Sequence, residues 1–366
     1  MLQKIKGWLR TLFTSLYLGF DVLLFYPLLC LLPYGWAFPI TRWRGNIHFR
    51  LMKGLRSKML RDLAGCLPER NESERLEIAR RVFQMQATFF YENYMWTRYR
   101  EKAWTKKFVS FQGLEHLDAS IEQGKGIILC TMHFNNYFYA AGFLLAKGYQ
   151  VAPFAVYPWD MKKVNFFVKL NHSYLIWVSG WKTKVRYILA GRHPKREILS
   201  RLEQGGIFYF LLDIPLPEIR ALRPVTLLGQ AGLFPSSMVR LQHRTKAPFH
   251  VMYMVRDLCD WRRQTVIITP ELSFSDDVDR DLQLAVTELE KGIRQHPCFW
   301  WGWGMVDRMR PEHIRSAQAR RDYSTRPLRE TMRRRKSVPE DAGRRARDAA
   351  STRPLDRCSK ENPDAP

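Results

Sequence analysis

The run Gly124-Lys125-Gly126-Ile127-Ile128-Leu129-Cys130-Thr131-Met132-His133-Phe134-Asn135-Asn136-Tyr137-Phe138 decides how the rest of the chain is read. A glycine-bearing turn leads into an apolar stretch, Ile127 to Thr131, that reads as a buried strand. The polar pair Asn135-Asn136 then opens a helix that continues to Lys147 and stops at Gly148. Strand, polar junction and helix in that order form the repeating unit of an α/β domain. Ligands of open α/β sheets gather beyond the carboxyl ends of the strands. His133 stands at such an end, where a neutral imidazole can take a proton from a hydroxyl near neutral pH. The competing reading is a histidine held by hydrogen bonds for structure alone.

The same alternation extends along the chain. Leu114 to Gln123 reads as a helix and Tyr149 to Val156 as a strand. A helix ahead of Gly205-Gly206 leads into the strand Ile207 to Leu212. Further strands are expected near Val225 to Leu228, His250 to Val255 and Thr265 to Thr269. Helices are expected between Pro235 and Arg244 and between Arg280 and Gln295. The fold class is therefore α/β, with a largely buried sheet. Upstream, Asn71 and Glu74 have the spacing of a capping box, followed by a helical pattern through Leu76, Ala79, Val82, Phe83 and Phe90. Phe89 to Lys107 is aromatic and basic. It fits either rings at a lipid interface with Lys and Arg reaching headgroups, or a helix packed on the core with a solvated basic edge.

The chain has 366 residues and is 46% apolar, with 12 Trp, 15 Tyr and 22 Phe. This excludes a wholly disordered chain, a collagen-like chain and a small disulfide scaffold. Lys and Arg number 59 against 35 Asp and Glu, a formal charge of +24. A balance this positive calls for an anionic partner: nucleic acid, a membrane surface or an acidic protein. From Arg315 onward apolar periodicity ends, and 15 basic against eight acidic residues give about +7, so about +17 belongs to the body. This tail, 315–366, reads as disordered and solvated, with Arg333-Arg334-Arg335-Lys336 as its densest basic run. The six cysteines are scattered without a CxxC pair, which points to free thiols rather than zinc or disulfides. Cys130 reads as a small core residue rather than a nucleophile.

Phe13 to Leu32 is nearly all apolar, broken by Asp21 and Pro27, and about as long as a bilayer span. One central Asp costs roughly 2.5–3.5 kcal/mol on insertion. Lys4, Lys6 and Arg10 precede the run, and a heavier cluster from Arg42 to Lys58 follows it. A single span would then leave the main domain in the cytoplasm, while bases on both sides also suit a monotopic helix or shallow hairpin. The segment reads as an anchor rather than a core helix, and its length does not suit a cleaved signal. The organisation expected is an anchor at 1–45, an α/β domain at 46–314 and the tail.

Four pieces carry a family resemblance: FQGLEHLDASIEQGKGIILCTMHFNNYF (Phe111–Phe138), EQGGIFYFLLD (Glu203–Asp213), LLGQAGLFPSSMVRLQHRTKAPFHVMYM (Leu227–Met254) and HPCFWWGWGMVDRMRPE (His296–Glu312). In their order and spacing, the stretch from Asn71 to about Pro311 resembles the lipid A biosynthesis acyltransferases. These are the late lauroyl and myristoyl transferases of bacterial endotoxin assembly, within the lysophospholipid acyltransferase-like superfamily. The mycobacterial phosphatidylinositol mannoside acyltransferases are relatives. The resemblance implies an acyltransferase-like α/β/α domain around a mixed, largely buried sheet, on an N-terminal membrane anchor. It implies transfer of a fatty acyl chain from acyl carrier protein or coenzyme A to a lipid A-like glycolipid. No cofactor is expected beyond that donor. The expected partners are membrane lipids, with acyl carrier protein as a further candidate and no nucleic acid. The expected location is the bacterial inner membrane, with the main domain on the cytoplasmic side.

The family's signature is His-x-x-x-x-Asp/Glu, usually with Gly-Asn-Trp inside it. His133 and Asn136 match, Asn135 replaces Gly, Tyr137 replaces Trp, and Phe138 stands where the acid should be. The carboxylate of such a pair orients the imidazole and stabilises the imidazolium, and Phe supplies neither role. The family's Tyr-Arg-Pro is reduced to Tyr157-Pro158, and most of its C-terminal bases are missing between Trp301 and Arg308. Asp213 falls where the family has Asp-Gln after a strand, so it is the candidate to replace the acid. The site expected from the resemblance is His133 and Asp213 for catalysis, with Asn136, Tyr137, Ser236 and Ser237 toward substrate. Ser236 and Ser237 open a helix, where backbone N–H groups can bind an anion, although a plain helix cap is the simpler role. The alternative is a catalytically degenerate relative that binds lipid or a partner protein. Nucleic-acid binding rests on charge alone and has no accompanying motif.

Overall fold

The computed structural model describes residues 12–95, 101–160, 164–183, 185–190, 194–213 and 221–316. The chain divides into two units, Met1–Ile314 and Arg315–Pro366. The tail expected to be disordered lies, after residue 316, outside the described residues.

Nine strands are described: β1 (Val109–Gln112), β2 (Ile127–Thr131), β3 (Val151–Val156), β4 (Ile188–Ala190), β5 (Ile207–Leu211), β6 (Leu222–Leu227), β7 (Gln230–Pro235), β8 (Phe249–Arg256) and β9 (Gln264–Ile268). Seven of them form one sheet in the order β1-β9-β8-β2-β5-β3-β4, and β6-β7 stand apart as a hairpin. Every pairing in the large sheet is parallel except β8 with β9. The sheet is mixed, as the family resemblance implies.

β2 lies at its centre and all five of its residues are buried. Its side chains alternate between the two faces. Ile128 and Cys130 join one core with Phe208, Phe210 and Val251. Ile127 and Leu129 join the other with Ile207, Tyr209 and Met252. A strand apolar on both faces needs cover on both, and helices provide it. Val278–Gln295 and the first half of Glu72–Met95 pack on the first core, through Leu282, Ala285, Val82 and Phe83. Tyr137–Ala146 and Phe166–Thr183 pack on the second, through Phe143, Leu144, Leu175 and Val178. The result is three layers, α/β/α.

The Asn71–Glu74 capping box is present. The Asn71 side chain accepts from the Glu74 N–H at 3.0 Å, and Glu74 accepts from the Asn71 N–H at 2.9 Å. The helix expected from Asn135 begins at Tyr137 instead. Asn135 takes a left-handed φ of 46°, and Asn136 caps the helix by accepting from the Tyr139 N–H. Of the aromatic stretch after Phe89, the described part up to Met95 is core: Phe89, Tyr91, Glu92, Asn93 and Met95 are all buried. Residues 96–100 of that stretch lie outside the described residues.

Among the described residues, one helix, Leu12–Leu29, is long and apolar enough to cross a membrane, with a mean hydropathy of 1.6. Tyr34–Leu51 follows it and packs along Glu72–Met95. Asp21, the charge that breaks the apolar run, is turned inward. Arg44 bonds it at 2.6 and 2.9 Å and His48 at 3.1 Å.

Candidate active site

β2 and β5 are parallel neighbours in register, Thr131 opposite Leu211. The ladder continues past the strand ends, where the Leu212 N–H donates to the Thr131 carbonyl at 2.9 Å. His133 and Asp213 each stand two residues beyond these paired ends. The topology therefore brings together two side chains 80 positions apart in sequence.

His133 Nδ1 lies 2.9 Å from Asp213 Oδ1. The His133 backbone N–H donates to both carboxylate oxygens at 3.0 Å. Trp300 Nε1–H donates to Oδ2 at 2.9 Å. Asp213 therefore accepts from a ring nitrogen, an amide and an indole, and its side chain is only 4% exposed. The His133 side chain is 26% exposed, so the ring is open on one side. Since Nδ1 faces a carboxylate, it carries the proton, and the lone pair falls on Nε2. Among the described residues, none bonds Nε2.

The junction is clamped from behind. Phe134 bridges Trp300 in antiparallel fashion. The Asn135 N–H donates to the Phe299 carbonyl at 2.8 Å, and the Trp301 N–H donates to the His133 carbonyl at 2.9 Å. Gly302 makes this possible, because a Cβ there would lie 2.0 Å from the Trp300 ring. Trp300, buried and placed by this clamp, is a site residue that the sequence reading missed. Its signal was the dense aromatic run Phe299-Trp300-Trp301.

Tyr137 is buried and meets the His133 ring edge-on at 4.9 Å. Asn136 is fully buried. Its Nδ2 donates to Glu92 Oε2 at 2.9 Å, while its Oδ1 caps the following helix. Both Glu92 carboxylate oxygens also accept from Arg256 Nη2, at 2.7 and 2.8 Å, and the Glu92 carbonyl accepts from the Tyr139 hydroxyl. Glu92 and Arg256 were not singled out in the sequence. An acid within the apolar run Phe89-Phe90-Tyr91-Glu92 was the available sign.

Phe138 packs against Tyr137 at 4.7 Å, Phe89 at 6.1 Å and His172 at 6.1 Å. His172 is held below the usual imidazole range by burial first, while the neighbouring His133 pushes the same way. Cys130 points into the core, and burial drives its thiol well above the usual range. It is no thiolate nucleophile. Ser236 and Ser237 lie at the end of the β6–β7 hairpin. The buried Ser236 hydroxyl donates to the Ala221 carbonyl at 2.9 Å and does not cap the helix it precedes; Ser237 is exposed. None of the contacts described for Ser236 reaches His133 or Asp213.

Residues 6–303 match the family described as bacterial lipid A biosynthesis acyltransferase. The chain belongs to that family. Within the matched stretch, His133 stands at the end of the central strand and Phe138 packs behind it on Tyr137. In this family member the carboxylate beside the ring comes from Asp213, on the neighbouring strand. No curated protein is significantly similar to the chain.

Proposed function

We propose that the protein transfers a fatty acyl chain from a thioester of acyl carrier protein or coenzyme A to a hydroxyl of a lipid A-like glycolipid. The observation that carries this reading is the 2.9 Å contact of Asp213 with His133 Nδ1. It supplies spatially what Phe138 does not supply in sequence.

His133 Nε2 takes the proton of the acceptor hydroxyl as its oxygen attacks the thioester carbonyl. Asp213 holds the ring in the required tautomer and offsets the charge of the imidazolium. The tetrahedral intermediate then collapses, the C–S bond breaks, and the imidazolium returns its proton to the departing sulfur. The products are an O-acyl ester and a free thiol, with His133 neutral again. Trp300 and the His133 N–H are positioning groups that fix the carboxylate. The positive body suits an acidic carrier protein and an anionic leaflet, with the main domain on the cytoplasmic side of the inner membrane.

The test offers labelled acyl carrier protein, then labelled acyl coenzyme A, to membranes containing the protein together with total lipid extract. A labelled lipid absent with His133→Ala is expected, and its mass identifies the acceptor. No labelled lipid from either donor, with the protein folded and membrane-bound, would favour the non-catalytic reading.

A further inference from the structure

We infer that the protein sits on an anionic bilayer as a monotopic enzyme. In this seating Leu12–Leu29 lies in the membrane plane rather than across it, and Phe166–Thr183 forms a second contact through Trp177 and Trp181.

Leu12–Leu29 is docked on the domain. Its single acid is buried against Arg44 and His48 of Tyr34–Leu51. The Tyr94 hydroxyl donates to the Val22 carbonyl at 2.6 Å, and Asn165 Nδ2 donates to Ser15 Oγ at 3.0 Å. Gly19 leaves room for the Phe167 ring, since a Cβ there would come within 2.7 Å of it. Drawing this helix away to span a bilayer would leave Asp21 and Arg44 without each other in an apolar surrounding. Breaking a buried pair in that way is strongly unfavourable.

The exposed side of the same helix is dominated by apolar side chains. Leu12, Phe13, Leu16, Phe20, Leu23, Leu24 and Leu28 are exposed along it, and Leu31 is exposed just beyond its end. Phe166–Thr183 packs on this helix. Phe166, Trp177 and Trp181 are exposed at spacings of 11 and four, which is one helical face. Phe166 directly follows Asn165, which holds Ser15 between exposed Phe13 and Leu16, so the two faces adjoin. Trp177 and Trp181 stack at 5.7 Å, and indole rings favour the headgroup level of a bilayer.

An apolar face of this extent on a soluble chain marks an interaction site. The occupant is fixed by charge and by the flanking rings. The body carries about +17, which suits an anionic leaflet, and paired tryptophans bordering an aliphatic stripe match the apolar-to-headgroup boundary. The helix of the second contact also packs toward the site. His172 of the same helix packs on Phe138, Phe138 on Tyr137, and Tyr137 on His133. The helix of the second contact is thus joined through ring contacts to the candidate catalytic histidine. The inference concerns membrane seating and does not depend on turnover.

Two measurements on the full chain test it. In sealed vesicles of phosphatidylglycerol and phosphatidylethanolamine, a Cys358→Ser protein with an N-terminal epitope tag is probed with an impermeant thiol reagent and with a protease. Exposed Cys259 and the tag should be reached from the same side. A tag protected on the opposite side would overturn the in-plane seating. In flotation with the same vesicles, Trp177→Ser/Trp181→Ser should bind about tenfold more weakly than wild type, with an unchanged thermal midpoint. It should bind even less to phosphatidylcholine vesicles. Unchanged flotation of that variant would remove the second contact. A protein that ignores vesicles and instead sediments as a dimer through this face would replace the bilayer with a second copy.

Discussion

Asp213 stands beside His133 because β2 and β5 are adjacent, parallel and in register, with each residue two positions past its strand end. The pairing belongs to the sheet and not to a helix turn. A carboxylate delivered by a neighbouring strand is held as rigidly as the sheet itself, which suits a group whose task is to orient a ring.

Trp300 donates one of the hydrogen bonds to the Asp213 carboxylate and is fully buried. Trp300→Phe keeps an aromatic ring but removes the N–H, leaving Oδ2 with the His133 amide alone. The expected outcome is a fall in kcat of about tenfold with KM little changed, and a stability loss of about 1–3 kcal/mol. Steady-state kinetics and urea titration check both. A KM effect alone would place Trp300 in substrate binding.

Phe138→Asp restores the family's acid in sequence. No gain in turnover is expected, because Nδ1 of His133 is already engaged by Asp213 and Nε2 must stay free for the acceptor. The new carboxylate would lie among Phe89, Tyr137 and His172, so stability should fall. Parallel measurement of turnover and thermal midpoint decides. A rise in turnover would show that the ring works below its limit.

Glu92 and Arg256 form a buried ion pair. Glu92→Ala leaves the guanidinium uncompensated and frees Asn136, at the start of the helix after His133. A loss of about 3–5 kcal/mol is expected in urea unfolding. Glu92→Ala with Arg256→Met should be less destabilised than Glu92→Ala alone. A double variant worse than the single would mean the pair is not the main contact of either residue.

The α/β class, the central strand and the His133 position were legible because they rest on local signals: an all-apolar strand, a polar junction and a cap. Asp213 was legible only as the last residue of an apolar strand. That it meets Nδ1 depends on which strands are neighbours, and strand order is not written in local periodicity. Trp300 was hidden for the same reason, since its indole reaches Asp213 across 87 positions. Phe166–Thr183 escaped notice because its pattern is apolar with exposed tryptophans, which solvent-facing periodicity does not anticipate. The length and spacing of Phe13 to Leu32 left both a span and a surface helix open. The Arg44 and His48 partners that hold Asp21 inward appear only in three dimensions.

Burial holds His172, His250 and His296 below the ordinary imidazole value of 6.5. His250 is enclosed between the Ser120 hydroxyl and the Thr269 carbonyl at 2.8 and 2.9 Å. Below 6.5 the unfolded chain binds protons that these folded groups refuse. Stability is therefore full above that pH and falls as the pH drops below it. Urea midpoints at pH 7.5 and 5.5 should differ in that direction, and His250→Gln should reduce the difference. An unchanged slope in the variant would assign the acid sensitivity elsewhere.

The central claim is that His133 and Asp213 act as one unit. Its most direct test is acyl transfer, from labelled acyl carrier protein to total lipid extract, by His133→Ala, Asp213→Asn and the double variant in matched membranes. The account predicts that Asp213→Asn loses about 10²–10⁴-fold and that the double variant is no worse than His133→Ala. Wild-type turnover in Asp213→Asn, or losses that multiply in the double variant, would contradict it.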